Sequence, residues 1–308
     1  MNLAHTNLKT SILTALIGLS IASGVFAAGS YVENFDSYNS ISYVGQKSTT
    51  LANGAEIWGN NGSAASAVNI HQQASSWKAF RIAQDTTGGT IGTYIVGTVE
   101  NPSTRVNSFT ASFDLYLKNS SGDPADRFSF NFGNLTGSMP RDTESGLWIS
   151  GQSGSMLSLV WDFYNNPTQP GEFVGTGISR GVELYRNGSL VSGTQVNSPV
   201  PILTNLDGSF TRINVRYDEE VNGGTFTFNT GGTVGTGNLI SGGTDVFSVN
   251  NLGLAFAAGD QFAFSAATGG AEMDMFIDNV SIQTVPEPSS GALMALGIGG
   301  LMAWRRRK

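Results

Sequence analysis

The sequence predicts an all-β fold, a two-sheet antiparallel sandwich of jelly-roll type. Three observations carry that expectation. Short segments with a two-residue apolar period recur throughout. Clusters of Gly, Asn, Asp and Ser separate them. No stretch of the body places apolar residues at three- and four-residue spacing for long enough to require a helix. The 40 glycines of the 308-residue chain suit many tight turns. No fixed-period repeat is present, which argues against a β-helix or a propeller.

Taken in order, the chain opens with Lys9 and a polar-poor run from Ile12 to Phe26. Val25-Phe26-Ala27 meets the small-residue rule for signal cleavage, so residues 1–27 read as a secretory signal peptide cut after Ala27. Residues 28–284 read as one large sandwich domain, because no Pro-rich or charged linker divides them. Its expected strands are Trp77 to Ala83, Thr90 to Val99, Phe109 to Leu117, Phe128 to Phe132, Leu157 to Phe163 and Val182 to Tyr185. They continue with Phe210 to Tyr217, Thr225 to Phe228, Leu252 to Phe256, Gln261 to Ser265 and Met273 to Ile282. Gly88-Gly89, Asn187-Gly188 and Asp207-Gly208 read as turns. Asn222-Gly223-Gly224 reads as a hairpin joining two aromatic strands. Trp148 and Trp161 read as core residues.

Charge and composition exclude several functions. Discounting Lys9 and the four terminal cations leaves 11 basic residues against 23 acidic ones, a net of −12. Such a body repels phosphate backbones, and nucleic acid is not an expected partner. Cysteine is absent, which removes thiol chemistry, disulfides and Cys-ligated zinc. His71 is the body's single histidine and no Gly-x-Ser-x-Gly elbow accompanies it, so a serine hydrolase is not expected. Glu272, Asp274 and Asp278 lie at same-face spacing on one strand, as in sandwich glucanases. The position of a further catalytic carboxylate holds Phe276 or Ile277, so no enzyme is expected and a glycoside hydrolase is the weaker alternative.

Residues 285–308 form a distinct tail. Val285-Pro286-Glu287-Pro288 precedes an apolar stretch from Gly291 to Trp304, followed by Arg305-Arg306-Arg307-Lys308. As a helix the stretch reaches about 21 Å, short of the ~30 Å hydrocarbon core, and the cations mark its cytoplasmic end. A short transmembrane helix used as a temporary hold fits these dimensions. The order of parts resembles the PEP-CTERM sorting signal of bacterial exported proteins, with Pro286, Glu287, Pro288, Arg305, Arg306 and Arg307 as its motif. That resemblance implies removal of the tail by an exosortase, a membrane protease, in bacteria that make exopolysaccharide. It also implies a cell-surface or extracellular location after transient anchoring in the inner membrane.

A second resemblance lies in the middle of the chain. Ala125-Asp126-Arg127-Phe128 leads to Gly146-Leu147-Trp148 and then to Val160-Trp161-Asp162-Phe163-Tyr164-Asn165-Asn166. Sequence and order are similar to legume-type lectins over residues 109 to 268, which implies a concanavalin A-like sandwich with a carbohydrate site on one rim. The resemblance assigns Asp126, Gly146 and Asn166 to sugar. It assigns Asp162, the carbonyl of Tyr164, Asn166 and Glu172 to calcium, oxygen donors of the kind that hard cation takes. Two departures stand out. Val160 holds a position where the family carries Glu and no histidine follows His71, so the transition-metal half of the site is unmatched. Arg127 stands where the family carries Gly. The expected function is a lectin-like, glycan- or exopolysaccharide-binding module of the surface or matrix; the alternative is a coat protein with no defined sugar site.

Overall fold

The computed structural model describes residues 29–36, 42–43, 49–50, 55–61, 68–74, 77–83, 90–96, 106–118, 127–135, 156–164, 181–197, 207–234, 240–268 and 273–286. Among these there is no helix. The strands begin with β1 (Gly29–Glu33), β2 (Ser42–Tyr43), β3 (Thr49–Thr50), β4 (Glu56–Asn61), β5 (Val68–Ala74), β6 (Trp77–Ala83) and β7 (Thr90–Ile95). The middle supplies β8 (Val106–Lys118), β9 (Arg127–Gly133), β10 (Met156–Asp162), β11 (Gly181–Arg186), β12 (Ser189–Leu190) and β13 (Val196–Asn197). The last part holds β14 (Asp207–Asp218), β15 (Thr225–Thr230), β16 (Thr233–Val234), β17 (Ile240–Ser241), β18 (Thr244–Val249), β19 (Gln261–Ala267) and β20 (Asp274–Pro286).

These strands make the expected two-sheet antiparallel sandwich. One sheet runs β18-β15-β14-β8-β20-β6-β5-β2, with β1 also on β20; the other runs β12-β11-β10-β9-β19-β7-β4-β3, with β13 also on β11. The long strands β8 and β20 sit at the centre of the first sheet. The all-buried strands β9 and β10 sit at the centre of the second.

Alternation explains the core. β8 turns Phe109, Ala111, Phe113, Leu115 and Leu117 inward, and β9 answers with Phe128, Phe130 and Phe132. The rings interlock edge to face, Phe113 on Phe264 at 4.9 Å and Phe109 on Phe262 at 5.1 Å between centroids, the arrangement that aromatic quadrupoles favour. Trp161 is fully buried against Phe128, Phe113 and Phe228, as expected of a core residue. In a chain without disulfides this aromatic layer is what fixes the spacing of the two sheets.

Of the expected turns two hold and one shifts, and Gly88-Gly89 lies outside the described residues. Asn187 and Gly188, with φ of 49° and 77°, make a two-residue hairpin between β11 and β12. Asn222, Gly223 and Gly224 take φ of 48°, 72° and 96° and close the hairpin of β14 and β15, where Asp218 pairs Thr225. Asp207-Gly208, expected as a turn, instead starts β14, and the register slips between Asp207 and Phe210. Leu252 to Phe256, expected as a strand, keeps alternating burial but joins no sheet. Its start is tied to the neighbouring hairpin turn, Leu252 N–H donating to the Gly224 carbonyl and Gly253 N–H to that of Gly223.

Candidate functional site

Arg127 opens β9 and Asp162 closes β10, and the two are direct cross-strand partners. On β9 the phenylalanines 128, 130 and 132 take the inner face, which places Arg127, Ser129 and Asn131 on the outer one. That face is closed as well: Arg127, Asp162, Ser129, Asn131, Ser158 and Glu183 are all buried. Burying a charge demands a partner, and here each sequence-distant charge has one. Arg127 Nη2 donates to Asp162 Oδ2 at 3.2 Å. Asp162 Oδ1 accepts the Tyr164 backbone N–H at 3.2 Å, so the strand end is folded over its own carboxylate.

A second buried polar group stands beside this pair on the same face. Glu183 of β11 accepts the Tyr185 hydroxyl at 2.7 Å on one oxygen and the Gln195 side-chain amide at 2.7 Å on the other. Burial, and then the Glu183 carboxylate, push the Tyr185 phenol far above its usual range, so it remains a hydrogen-bond donor. Farther along the sheet the Thr93 and Ser265 hydroxyls meet at 3.0 Å. The outer face of the second sheet therefore interleaves buried polar groups, several of them paired with one another, with apolar residues such as Val160, Met156 and Ala263.

Of the residues expected to bind sugar or metal, Asp162 and Tyr164 lie in the described part. Asp126, Gly146, Asn166 and Glu172 lie outside the described residues, as do Trp148, Glu272, the signal peptide and the sorting tail beyond Pro286. Asp162 stands at a strand end as expected, but its partner is a guanidinium where the resemblance implies calcium. A dication on this carboxylate would stand roughly 6 Å from the Arg127 charge, a repulsion of about 5 kcal/mol at an effective dielectric near 20. Among the described residues no three His, Cys, Asp or Glu side chains gather as a metal set. Asp162, with Arg127 and the Tyr164 N–H already on its two oxygens, fits calcium poorly.

The carboxylates weighed for hydrolysis also have structural partners. Asp274 lies 3.9 Å from Arg81. Asp278 accepts the Asn279 backbone N–H at 2.7 Å beside Asp114, which is itself held by Arg212 at 2.9 Å and by the Asn279 side-chain amide at 2.8 Å. Burial pushes Asp278 up to about 6, with the Asp114 and Asp36 charges adding to it against the Asn279 amide and Arg212. Asn279 has φ of 47°, and the register slips between Asp278 and Ser281, so the strand changes parity there: Met275 and Ile277 face inward before it, Val280 and Ile282 after it. What residue-by-residue reading missed is the Arg127–Asp162 pair. Arg127 was visible as an odd residue in its place, but its partner lies 35 positions away.

Comparison with known proteins agrees with both ends of this description. Among solved structures the fold is similar to lectin II from Ulex europaeus, with a TM-score of 0.53 and 14% identity over 84% of this chain and 98% of that one. The Lotus tetragonolobus seed lectin is matched at 0.53 and 16%, over 85% of this chain and all of that one. A lectin from Bauhinia forficata in complex with GalNAc is matched at 0.52 and 15%, again over 85% and all. No curated protein matches the sequence. Residues 284–308 match the PEP-CTERM protein-sorting motif, so the chain is an exported protein whose body has the sandwich of the legume lectins.

Proposed function

We propose that this is an exosortase-processed surface or extracellular-matrix protein whose sandwich binds glycan, exopolysaccharide included, at the rim where β9 begins and β10 ends. The observation that carries the reading is the lectin-type sandwich spanning nearly the full length of the legume lectins compared, joined to a sorting motif that delivers it outside the cell. Asp126, Gly146 and Asn166 are the residues proposed to meet sugar. An ionised carboxylate accepts from two neighbouring hydroxyls and does so strongly, and an amide such as Asn166 offers both a donor and an acceptor. In sequence Asp126 directly precedes Arg127 and Asn166 follows Asp162 by four residues, while Gly146 belongs to the segment that joins Gly133 of β9 to Met156 of β10. Export completes in this reading when the tail is removed, so the inner-membrane hold is temporary.

The experiment is a glycan-array screen of the protein recovered from outside the cell, run with and without chelator. Selective binding that Asp126→Ala and Asn166→Ala abolish while the fold survives supports the reading. Absence of any glycan signal, or a signal indifferent to both changes, leaves the coat-protein function as the better account.

A further inference from the structure

We propose that Arg127 is the resident cation of this rim: its guanidinium holds Asp162 in the position where the lectin resemblance implies calcium, and the sandwich stands without metal. The inference rests on two paired strands and holds whether or not the rim takes sugar.

The geometry is closed on each side of the carboxylate. Asp162 Oδ2 receives Arg127 Nη2 at 3.2 Å and Oδ1 receives the Tyr164 N–H, so both oxygens are engaged. Both side chains are 2% exposed, which keeps water from screening the pair. The cross-strand row through them reads Gly181, Asp162, Arg127, Ala267, so the pair is flanked by the two smallest residues and by no competing charge in that row. The carboxylates nearest along the sheet are accounted for, Glu183 being held by Tyr185 and Gln195. A guanidinium does not deprotonate in proteins. Unlike a lysine or histidine in the same place, it offers no neutral state through which a dication could take over the carboxylate. The Tyr164 N–H bond has a second effect. It fixes the start of the loop that leads to Asn166, the task a metal would perform when it gathers such a loop.

The test is thermal unfolding of the exported protein after exhaustive chelation and again with added calcium at about 10⁻³ M, the weak end of the extracellular range, alongside calorimetric titration with calcium alone. The expected result is one melting temperature in both conditions and no heat of binding. A chelator-induced drop, or a calcium-induced rise that Asp162→Asn removes, overturns the proposal. The charge role is read separately with Arg127→Met, which should lower the melting temperature by leaving a buried carboxylate uncompensated. Adding Asp162→Asn to that variant should recover part of the loss. Failure of the second change to recover anything, in a protein that still folds, shows that Arg127 acts through packing and not as the counter-ion.

Discussion

Asp278 makes a pH prediction whose sign and size both follow from its surroundings. It is 8% exposed on β20, faces Asp114 from β8 and Asp36 beyond β1, and is opposed by Arg212 from β14. Its carboxyl titrates near 6 in the folded protein against an ordinary 3.8, so the folded state keeps the proton longer than the unfolded chain does. Below pH 3.8 both states are protonated and the group is neutral to stability. Between about 4 and 6 the unfolded chain loses its proton first, and stability falls as pH rises; above 6 the penalty is complete. Two units correspond to roughly 3 kcal/mol. Because solvent and Arg212 screen one side of the group, roughly 1 to 2 kcal/mol is the expected size. Asp278→Asn removes the charge and keeps an acceptor for the Asn279 N–H. It should raise the melting temperature at pH 7.5 by about 2 to 6 °C and leave it unchanged at pH 3.5, read by circular dichroism across the pH series. A variant that melts with the wild type at pH 7.5, or gains equally at both pH values, would refute the argument.

Two further outcomes test the hairpin and the tail. Gly224→Ala places a Cβ 2.8 Å from the Tyr217 hydroxyl at a φ of 96°; it should cost about 1 to 3 kcal/mol, measured by urea unfolding, whereas Gly242→Ala, with open space around it, tests φ alone. Intact-mass analysis of protein recovered outside the cell should show loss of residues 1–27 and of the cluster from Arg305 to Lys308; persistence of Trp304 to Lys308 there would sink the processing scheme.

Period-two alternation made most of the sandwich legible in the sequence, because a strand buried on one face must alternate and a jelly roll has many such strands. It under-read the two longest ones. β8 begins at Val106 and β20 runs on to Pro286, beyond the expected Phe109 and Ile282, since strand ends need not carry large apolar residues. The bulge at Asn279 reverses parity inside β20, which no fixed period can represent. Gly29 to Glu33 went unread as a strand because a five-residue edge piece is stabilised by its pairing with β20 and not by its own pattern. Leu252 to Phe256 shows the converse, an alternating segment whose first two backbone N–H groups bond to a turn. At the rim, Asp162 was found from its place in the chain, while its partner depends on register across two strands, a quantity set by the whole sheet.

The position of β20 has a mechanical consequence. Its last residue, Pro286, pairs with Val106, and Gly29 of β1 pairs with Thr284 close by, so the start of the sorting motif and Gly29 lie at one end of the first sheet. Arg127 and Asp162 stand farther along. Phe109 packs on Phe132 and Phe113 on Phe128, so β9 starts about level with Asp114 of β8. Eight strand steps of ~3.3 Å put roughly 26 Å between that level and the Val106 end. A pull on the tail against a load held at that far rim runs along β20, parallel to its long ladder with β8. The hydrogen bonds of that ladder then bear the force together, in shear, and do not open one after another as they would if the strand were peeled from an edge.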